Sequence, residues 1–178
     1  MKNFPVNVGG KEYWISRSVA VVGIVYKVDE NGEFYLLANK RGTGCPDFVG
    51  YWNIPCGYLD YDETISQAAS REVYEEVGIK VPNYIWRLWF VNSVPTDNKQ
   101  AVSFRFITKY EKDYGETTSQ HCEPNEVSDI RWIKFKNINR YKWAFNQKEV
   151  VNNFVELMKK TTMHDKIVKR ENLDVLFG

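Results

Sequence analysis

Residues 57–79 read GYLDYDETISQAASREVYEEVGI, and their order predicts a helix over residues 62–77. Polar residues that can cap a helix stand at its start, Thr64 among them, and Gly78 stands where a left-handed residue usually ends one. Apolar side chains recur every four residues within the helix, which predicts a stripe that faces the core. The residues of this stripe are Ile65, Ala69, Val73 and Val77.

The predicted helix also carries three carboxylates on one face. Glu72, Glu75 and Glu76 are spaced i, i+3 and i+4, so their like charges repel each other. Partial protonation, Arg71 or a bound cation could relieve this repulsion. Oxygen ligands without a nearby His or Cys favour a hard ion, Mg²⁺ or Mn²⁺, of the kind that also binds substrate phosphates. The alternative interpretation is a solvated acidic helix face.

The spacing within residues 57–79 favours the metal interpretation. A glycine, five residues, a glutamate and seven residues precede Arg-Glu, and Glu-Glu and Gly follow at fixed intervals. At every specified position this pattern resembles the signature box of the Nudix hydrolase superfamily, in its MutT-like form. With the flanking strands, the resemblance extends from Ser16 to Phe135. Cys56 is a mild departure, because the family usually has Gly or Ala at this place before the box.

The resemblance implies a fold and a reaction. The fold is a Nudix-type α/β/α sandwich with a mixed β-sheet and a C-terminal helix. We expect one domain over residues 1–178, with the box at 57–79 and a helical extension at about 137–178. The implied activity is that of a pyrophosphohydrolase, which uses Mg²⁺ or Mn²⁺ to hydrolyse the pyrophosphate bond of a nucleoside diphosphate linked to another moiety. That moiety could make the substrate a nucleotide, a dinucleotide, an ADP-ribose-like molecule or a nucleotide sugar.

The resemblance also implies roles for individual residues. The expected metal ligands are the backbone carbonyl of Gly57 and the carboxylates of Glu72, Glu75 and Glu76. Arg71 would orient a glutamate through an ion pair, and Glu63 would brace the loop or bind metal through water. Glu72 or Glu75 is the candidate general base. Glutamates outside the box serve as the base in some members of the family, which makes Glu123 and Glu126 reserve candidates.

Several residues outside the box are candidates for contacts with the substrate. Trp86 and Trp89 lie on a predicted strand and could stack on a base, although core packing is the alternative. Arg17, like Trp14, could reach a base or phosphate, or belong to the surface. Pro95 stands 16 residues after the box, a distance that resembles the ADP-ribose-directed group of the family.

Three side chains near these candidates have simpler interpretations. The thiol of Cys56 is expected to be a small buried group and not a nucleophile, because metal-activated water makes one unnecessary. His121 and His164 stand in polar contexts and are expected at the surface.

The composition excludes some classes of function. The 178 residues carry a formal charge of +1, which argues against binding of nucleic acid or membrane through bulk charge. Three cysteines without a CxxC pair, and no secretory or membrane-spanning segment, indicate a cytoplasmic protein without a disulfide framework. The expected partner is a small nucleotide-derived substrate. A homodimer is plausible, and no DNA-binding domain is evident.

The remaining sequence predicts strands and a second helix around the box. The predicted strands cover residues 18–28, 33–41, 52–55, 84–94, 101–110 and 127–135, and the helix covers 146–160. In the strand at 101–110, alternation predicts that Phe104 and Phe106 face inward and that Ser103 and Arg105 face outward.

Two other functions remain open at this point. A Nudix-fold sensor would bind a nucleotide without turning it over. An isopentenyl diphosphate isomerase would need a cysteine motif that this sequence lacks.

Overall fold

The computed structural model describes residues 3–95 and 100–161, which form two sheets and two α-helices together with short 3₁₀ segments. The strands are β1 Phe4–Val8, β2 Lys11–Ile15, β3 Val19–Val28, β4 Phe34–Arg41, β5 Trp52–Asn53, β6 Cys56–Tyr58, β7 Arg87–Asn92, β8 Val102–Lys109 and β9 Val127–Lys134. Helix α1 spans Ile65–Val77, and helix α2 spans residues 147–161. The 3₁₀ segments are Asn83–Ile85, Lys112–Tyr114 and Phe135–Arg140.

The larger sheet is mixed, with β3 at its centre. Its described strands run in the order β5-β4-β3-β8-β7, while β6 also pairs with β3 and β9 with β4. The β3–β8 pair is parallel and the other pairs are antiparallel. The parallel pair needs a long connection, and α1 lies within it. The hairpin of β1 and β2 forms a separate two-stranded sheet.

The sheet is covered by a helix on each face. Helix α1 packs on one side in a cluster with Val21, Val25 and Leu37. On the other side α2 packs against Val22 and Ile24 through side chains that include Val150, Val151 and Phe154. Because both faces are covered, β3 is apolar from Val19 to Val25 and does not alternate with polar residues there. The prediction of an α/β/α sandwich with a mixed sheet and a C-terminal helix is therefore confirmed.

Local sequence explains how α1 begins, ends and approaches the sheet. Thr64 caps its first turn and forms a capping box with Gln67, while Gly78 ends the helix with φ +82°. A Cβ atom on Gly23 of β3 would lie 2.6 Å from Cγ2 of Val73, so glycine permits this close packing. The helix begins three residues later than predicted because Asp62 adopts a left-handed φ of +65° in the loop before it.

The structure corrects other sequence expectations. Arg105 is buried, 7% exposed, although alternation predicted that it faces outward. The alternation rule fails here because both faces of β8 lie inside the sandwich. Strands β1, β2 and β6 were not predicted as strands. The C-terminal tail, including His164, lies outside the described residues. None of the helices in the described part of the chain is long and apolar enough to cross a membrane.

Candidate active site

The short strand β6 brings the start of the box against α1. Gly57 pairs with Val21 of β3, which holds the loop on the sheet. A Cβ atom on Gly57 would lie 2.0 Å from Oε1 of Glu72, so its backbone fits directly against this carboxylate. The loop and the helix therefore meet at Glu72, which joins the two predicted elements of the site.

Arg71 joins the acidic groups of the loop to those of the helix. Its guanidinium donates to both oxygens of Glu63, at 2.7 Å and 3.1 Å, and to the backbone carbonyl of Tyr58 at 2.9 Å. The same group contacts Glu72 at 2.8 Å and Glu75 at 3.1 Å. These contacts raise the pKa of Arg71 and lower that of Glu63, because each charge stabilises the other. The structure thus brings Arg71 and Glu63 together in an ion pair, a pairing that the sequence analysis did not specify.

Two of the three helix carboxylates are buried. Glu72 is 8% exposed and Glu76 is 4% exposed, while the side chain of Glu75 is 43% exposed. Burial raises the pKa of Glu72 to about 7 despite its contact with Arg71. Burial, followed by repulsion from Glu72 and Glu126, raises the pKa of Glu76 well above its ordinary value. The site therefore gathers carboxyl groups where water is largely excluded, and this burial favours their neutral forms.

Glu76 carries a specific unsatisfied atom. Its Oε2 is buried and has no hydrogen-bond partner within the described residues. A buried polar atom without a partner is costly, and in native proteins it often indicates a ligand or ion. This oxygen adds to the interpretation of the helix face as a place for a bound cation.

The donor set fits a hard divalent cation, although the side chains are not arranged as a finished metal cluster. Within residues 3–95 and 100–161, no three His, Cys, Asp or Glu groups are spaced as such a cluster. Arg71 donates to one oxygen of Glu72 and one oxygen of Glu75, and these contacts partly explain why the carboxylates do not form such a cluster. The oxygen-only chemistry and the orphaned Oε2 of Glu76 still match Mg²⁺ or Mn²⁺.

Glu126 lies close enough to the helix carboxylates to affect them. Its charge contributes to the raised pKa of both Glu72 and Glu76. The backbone holds this segment in place, because the N–H of Gly42 donates to the carbonyl of Glu126 at 2.6 Å. Glu123, the other reserve candidate, is exposed, and its carbonyl accepts the N–H of Glu126. The structure thus brings Glu126, but not the side chain of Glu123, to the acidic group.

A shallow pocket opens beside Glu126. Its volume is about 240 Å³, and its lining includes Lys40, Arg41 and Asn125. Arg41 pairs with Asp47 at 2.8 Å, whereas the ammonium of Lys40 makes no ion pair or hydrogen bond to any described residue. A cation therefore lines the pocket next to the acidic site. The sequence analysis did not single out Lys40, since one lysine at the end of a strand gives no distinctive signal.

The structure separates the two tryptophans that were predicted to contact substrate. Trp86 is a core residue: it packs against Phe106, and its indole N–H donates to Ser70 at 2.9 Å. This burial corrects the suggestion that Trp86 stacks on a base, because its ring is covered by protein. Trp89 is partly buried on the α2 face of the sheet, where its ring meets Phe154. A substrate contact of Trp89 stays a prediction.

Arg17 and Trp14 occupy different environments. The guanidinium of Arg17 donates to the backbone carbonyls of Gln100 and Ala101 and so joins the start of β3 to the start of β8. Its predicted contact with substrate stays a prediction. Trp14 is exposed on β2, in the separate hairpin.

The surroundings of Cys56 and His121 indicate structural roles for both residues. Burial raises the pKa of the Cys56 thiol to about 12, and Gln147 of α2 donates to its sulfur at 3.3 Å. A thiol with this pKa is a poor nucleophile, in line with the expectation for Cys56. His121 is exposed and stacks on Tyr74 at 4.4 Å between ring centroids. Pro95 follows β7 without regular structure.

Comparison with known proteins agrees with the fold and the box. The sequence profile of the NUDIX domain matches residues 17–154, so the chain belongs to the Nudix family. A curated relative, the NAD-capped RNA hydrolase NudC of Escherichia coli O1:K1 / APEC, is 33% identical over 89 residues. That alignment covers 50% of this chain and 31% of the relative, so the chain spans about a third of the length of the curated relatives it matches.

Solved structures with the same fold include nucleotide complexes. The NUDIX domain of Shewanella oneidensis NrtR, complexed with ADP ribose, aligns with a TM-score of 0.65 at 17% identity, over 81% of this chain and 90% of that one. A bifunctional NMN adenylyltransferase/ADP ribose pyrophosphatase from Francisella tularensis, complexed with AMP and a Mn ion, aligns with a TM-score of 0.63 at 21% identity. That alignment covers 79% of this chain and 42% of the other. At these identities the likeness concerns the fold.

Proposed function

We propose that the protein is a pyrophosphohydrolase that uses Mg²⁺ or Mn²⁺ to hydrolyse the pyrophosphate bond of a nucleotide derivative. The observation that carries this proposal is the buried carboxylate pair of Glu72 and Glu76 within a Nudix box, with Oε2 of Glu76 left without a partner. Glu72, Glu75, Glu76 and the carbonyl of Gly57 would hold the ion. When bound, such an ion neutralises charge on phosphate oxygens and activates water.

The other functions of the site are assigned to individual side chains. Glu72 is our first candidate for the general base, because the backbone of Gly57 and the guanidinium of Arg71 hold its carboxylate in place. Arg71 positions Glu72 and Glu75 through its ion pairs, and Glu63 fixes Arg71 in turn. Glu126 stands near enough to serve as an alternative base.

The substrate class is proposed from the relatives and the pocket. Relatives with the NUDIX fold or sequence act on NAD-capped RNA or are complexed with ADP ribose or AMP. Pro95, at the distance that resembles the ADP-ribose-directed group, points the same way. The pocket lined by Lys40 would accept part of such an anionic molecule. We therefore place ADP-ribose and related dinucleotides at the head of the substrates to be tested.

A hydrolysis screen tests the proposal. The substrates are ADP-ribose, NADH, dinucleoside polyphosphates, nucleoside triphosphates and nucleotide sugars, each with Mg²⁺, with Mn²⁺ and with EDTA. We expect metal-dependent release of phosphate-containing products, with a rate that falls roughly a hundredfold or more in Glu76→Gln. The matched control is Glu116→Gln, a change at an exposed glutamate, which should retain the wild-type rate.

The outcomes of the screen separate the alternatives. Tight nucleotide binding with no metal-dependent turnover across the panel would indicate a sensor and reject the hydrolase. Unchanged hydrolysis by Glu76→Gln would reject the role of that carboxylate.

A further inference from the structure

Arg105 on β8 is a buried cation that has no anionic partner within residues 3–95 and 100–161. Its side chain belongs to a residue that is 7% exposed, and its Nε has neither a hydrogen-bond partner nor contact with solvent. Within the described residues its guanidinium makes no hydrogen bond or ion pair; its recorded contact is with the ring of Phe90, 5.1 Å from the centroid. Burial lowers the pKa of Arg105. A buried guanidinium is costly unless an anion compensates it, so an anionic partner is to be expected.

The charge of one acidic residue, Glu149, acts on Arg105, but this residue does not supply that partner. Glu149, in the first turns of α2, influences Arg105 only through its longer-range charge. The two side chains form no ion pair, and Glu149 is exposed. Solvent weakens an interaction of this kind. The charge of Arg105 is therefore left for a group that is not part of the described chain.

The position of Arg105 relates it to the candidate active site. In the register of the sheet, Arg105 is beside Val22 of β3, and Val22 is beside Cys56 of β6. Neighbours across a sheet share a face, so the three side chains lie on the α2 side. Strands are about 4.8 Å apart, which puts the Cα atom of Arg105 roughly 10 Å from that of Cys56, next to the metal-binding loop. At this distance from the loop, Arg105 could contact a group of the substrate other than the diphosphate.

Aromatic side chains of β7 lie next to Arg105. Phe90 is opposite Arg105 on β7 and is 49% exposed. The register of β7 shifts between Leu88 and Phe90, where Trp89 is the extra residue. This irregularity leaves the rings of Trp89 and Phe90 near each other, 6.4 Å between centroids. Arg105 thus lies beneath an accessible aromatic surface at the edge of the sheet.

We propose that Arg105 binds a phosphate group of the substrate that lies outside the metal-held diphosphate, and so selects substrates that carry such a group. The assignment of that group to a substrate rests on the proposed function. The binding of phosphate by Arg105 does not, because it requires neither a metal ion nor turnover. A guanidinium is well suited to this task because its planar donors match phosphate oxygens in pairs.

A binding experiment without metal tests Arg105 itself. Thermal unfolding is measured in EDTA with increasing inorganic phosphate, for the wild type, Arg105→Met and the matched control Arg87→Met, which removes an exposed arginine on β7. Phosphate should raise the Tm of the wild type and of Arg87→Met and leave that of Arg105→Met unchanged. Without phosphate, Arg105→Met should be at least as stable as the wild type, because the substitution removes an uncompensated buried charge.

Three results would overturn the assignment. One is an equal phosphate response in Arg105→Met and the wild type, and another is no response in the wild type. The third is that Glu149→Gln abolishes the response as Arg105→Met does, which would make Glu149 the partner that organises Arg105. If Arg105→Met does not fold, Arg105→Lys takes its place, and its phosphate affinity should be about tenfold lower because lysine lacks the paired donors.

A substrate pair then tests selection. NADPH carries a phosphate that NADH lacks, and hydrolysis of both is measured with Mg²⁺. The wild type should prefer NADPH in kcat/KM by about tenfold through KM, and Arg105→Met should lose this preference while kcat changes little. An unaltered preference in Arg105→Met would contradict selection by Arg105. Failure of hydrolysis altogether would count against the proposed function and leave the metal-free phosphate result as the test of Arg105.

Discussion

At the scale of single residues, the contact of Gly57 with Glu72 links the backbone of the loop to the chemistry of the helix. The absence of a side chain at Gly57 permits the carboxylate to approach, because a Cβ atom would come within 2.0 Å of its oxygen. Arg71 then restrains the same carboxylate through its ion pair at 2.8 Å. Glu72 is thus positioned from two sides before any ligand binds.

A double-mutant cycle tests this contact. Gly57→Ala should lower the Tm by roughly 3 °C or more, the shift that about 1 kcal/mol produces in a protein of this size, because Glu72 must move. The loss should be smaller when Gly57→Ala is made in a Glu72→Ala background, where the clashing carboxylate is absent. Thermal unfolding of the four proteins measures the coupling. Equal losses in both backgrounds would show that strain at Gly57 does not arise from Glu72.

At the scale of the element, α1 is stabilised by features separate from its acidic face. Its capping box and its buried small residues, Ala68 and Ala69, hold it on the sheet at Gly23. The same packing buries Glu72 and Glu76, and burial favours their neutral forms. A helix that is well packed therefore carries acids that oppose folding when ionised.

This conflict predicts how stability depends on pH without metal. Folding raises the pKa of Glu72 from the ordinary 4.5 to about 7 and also raises that of Glu76, so the folded state binds more protons than the unfolded state in this range. The contribution of both groups to stability therefore falls as the pH rises from about 4.5 through 7.

Glu76→Gln, which resembles the protonated acid, isolates the effect. In EDTA its Tm should differ least from that of the wild type near pH 5 and exceed it by roughly 3 °C or more near pH 8. Thermal unfolding across this range measures the difference. A constant difference between the two proteins would show that Glu76 does not titrate on folding.

The elements could be predicted from the sequence where one physical cause dominates. Thr64 and Gly78 mark the ends of α1 closely, and the apolar run of β3 indicates a strand buried on both faces. The role of Arg105 could not be predicted, because a charged residue in an alternating strand normally faces solvent and here α2 covers that face. For Trp86 the sequence left both core packing and base stacking open, because its burial depends on how α1 packs. Both outcomes depend on tertiary packing, which cannot be inferred from the local sequence pattern.

The box could be recognised because its residues stand at fixed spacing, which resembles that of the Nudix family. That spacing predicted one acidic helix face, of which the structure buries Glu72 and Glu76 and leaves the side chain of Glu75 43% exposed. The approach of Glu126 depended instead on a long-range contact of its backbone with Gly42, which only the fold reveals.

At the scale of the whole molecule, a near-neutral chain separates its charges. The net charge of +1 is an average over the acidic box and cations elsewhere in the chain, among them Lys40 at the end of β4 and Arg105 on β8. A bound divalent cation would change the sign of the potential at the box and allow an anionic substrate to approach. In our proposals, Lys40 and Arg105 would then contact parts of that substrate that the metal ion does not reach.

Binding of Mn²⁺ at neutral pH, followed by electron paramagnetic resonance of the free ion, tests the central claim most directly. The wild type and the control Glu116→Gln should show saturable binding of equal affinity. Glu76→Gln should bind at least about tenfold more weakly, because it loses a carboxylate that we assign as a ligand. The absence of saturable binding by the wild type, or an unchanged affinity in Glu76→Gln, would contradict the assignment of this helix as a metal site.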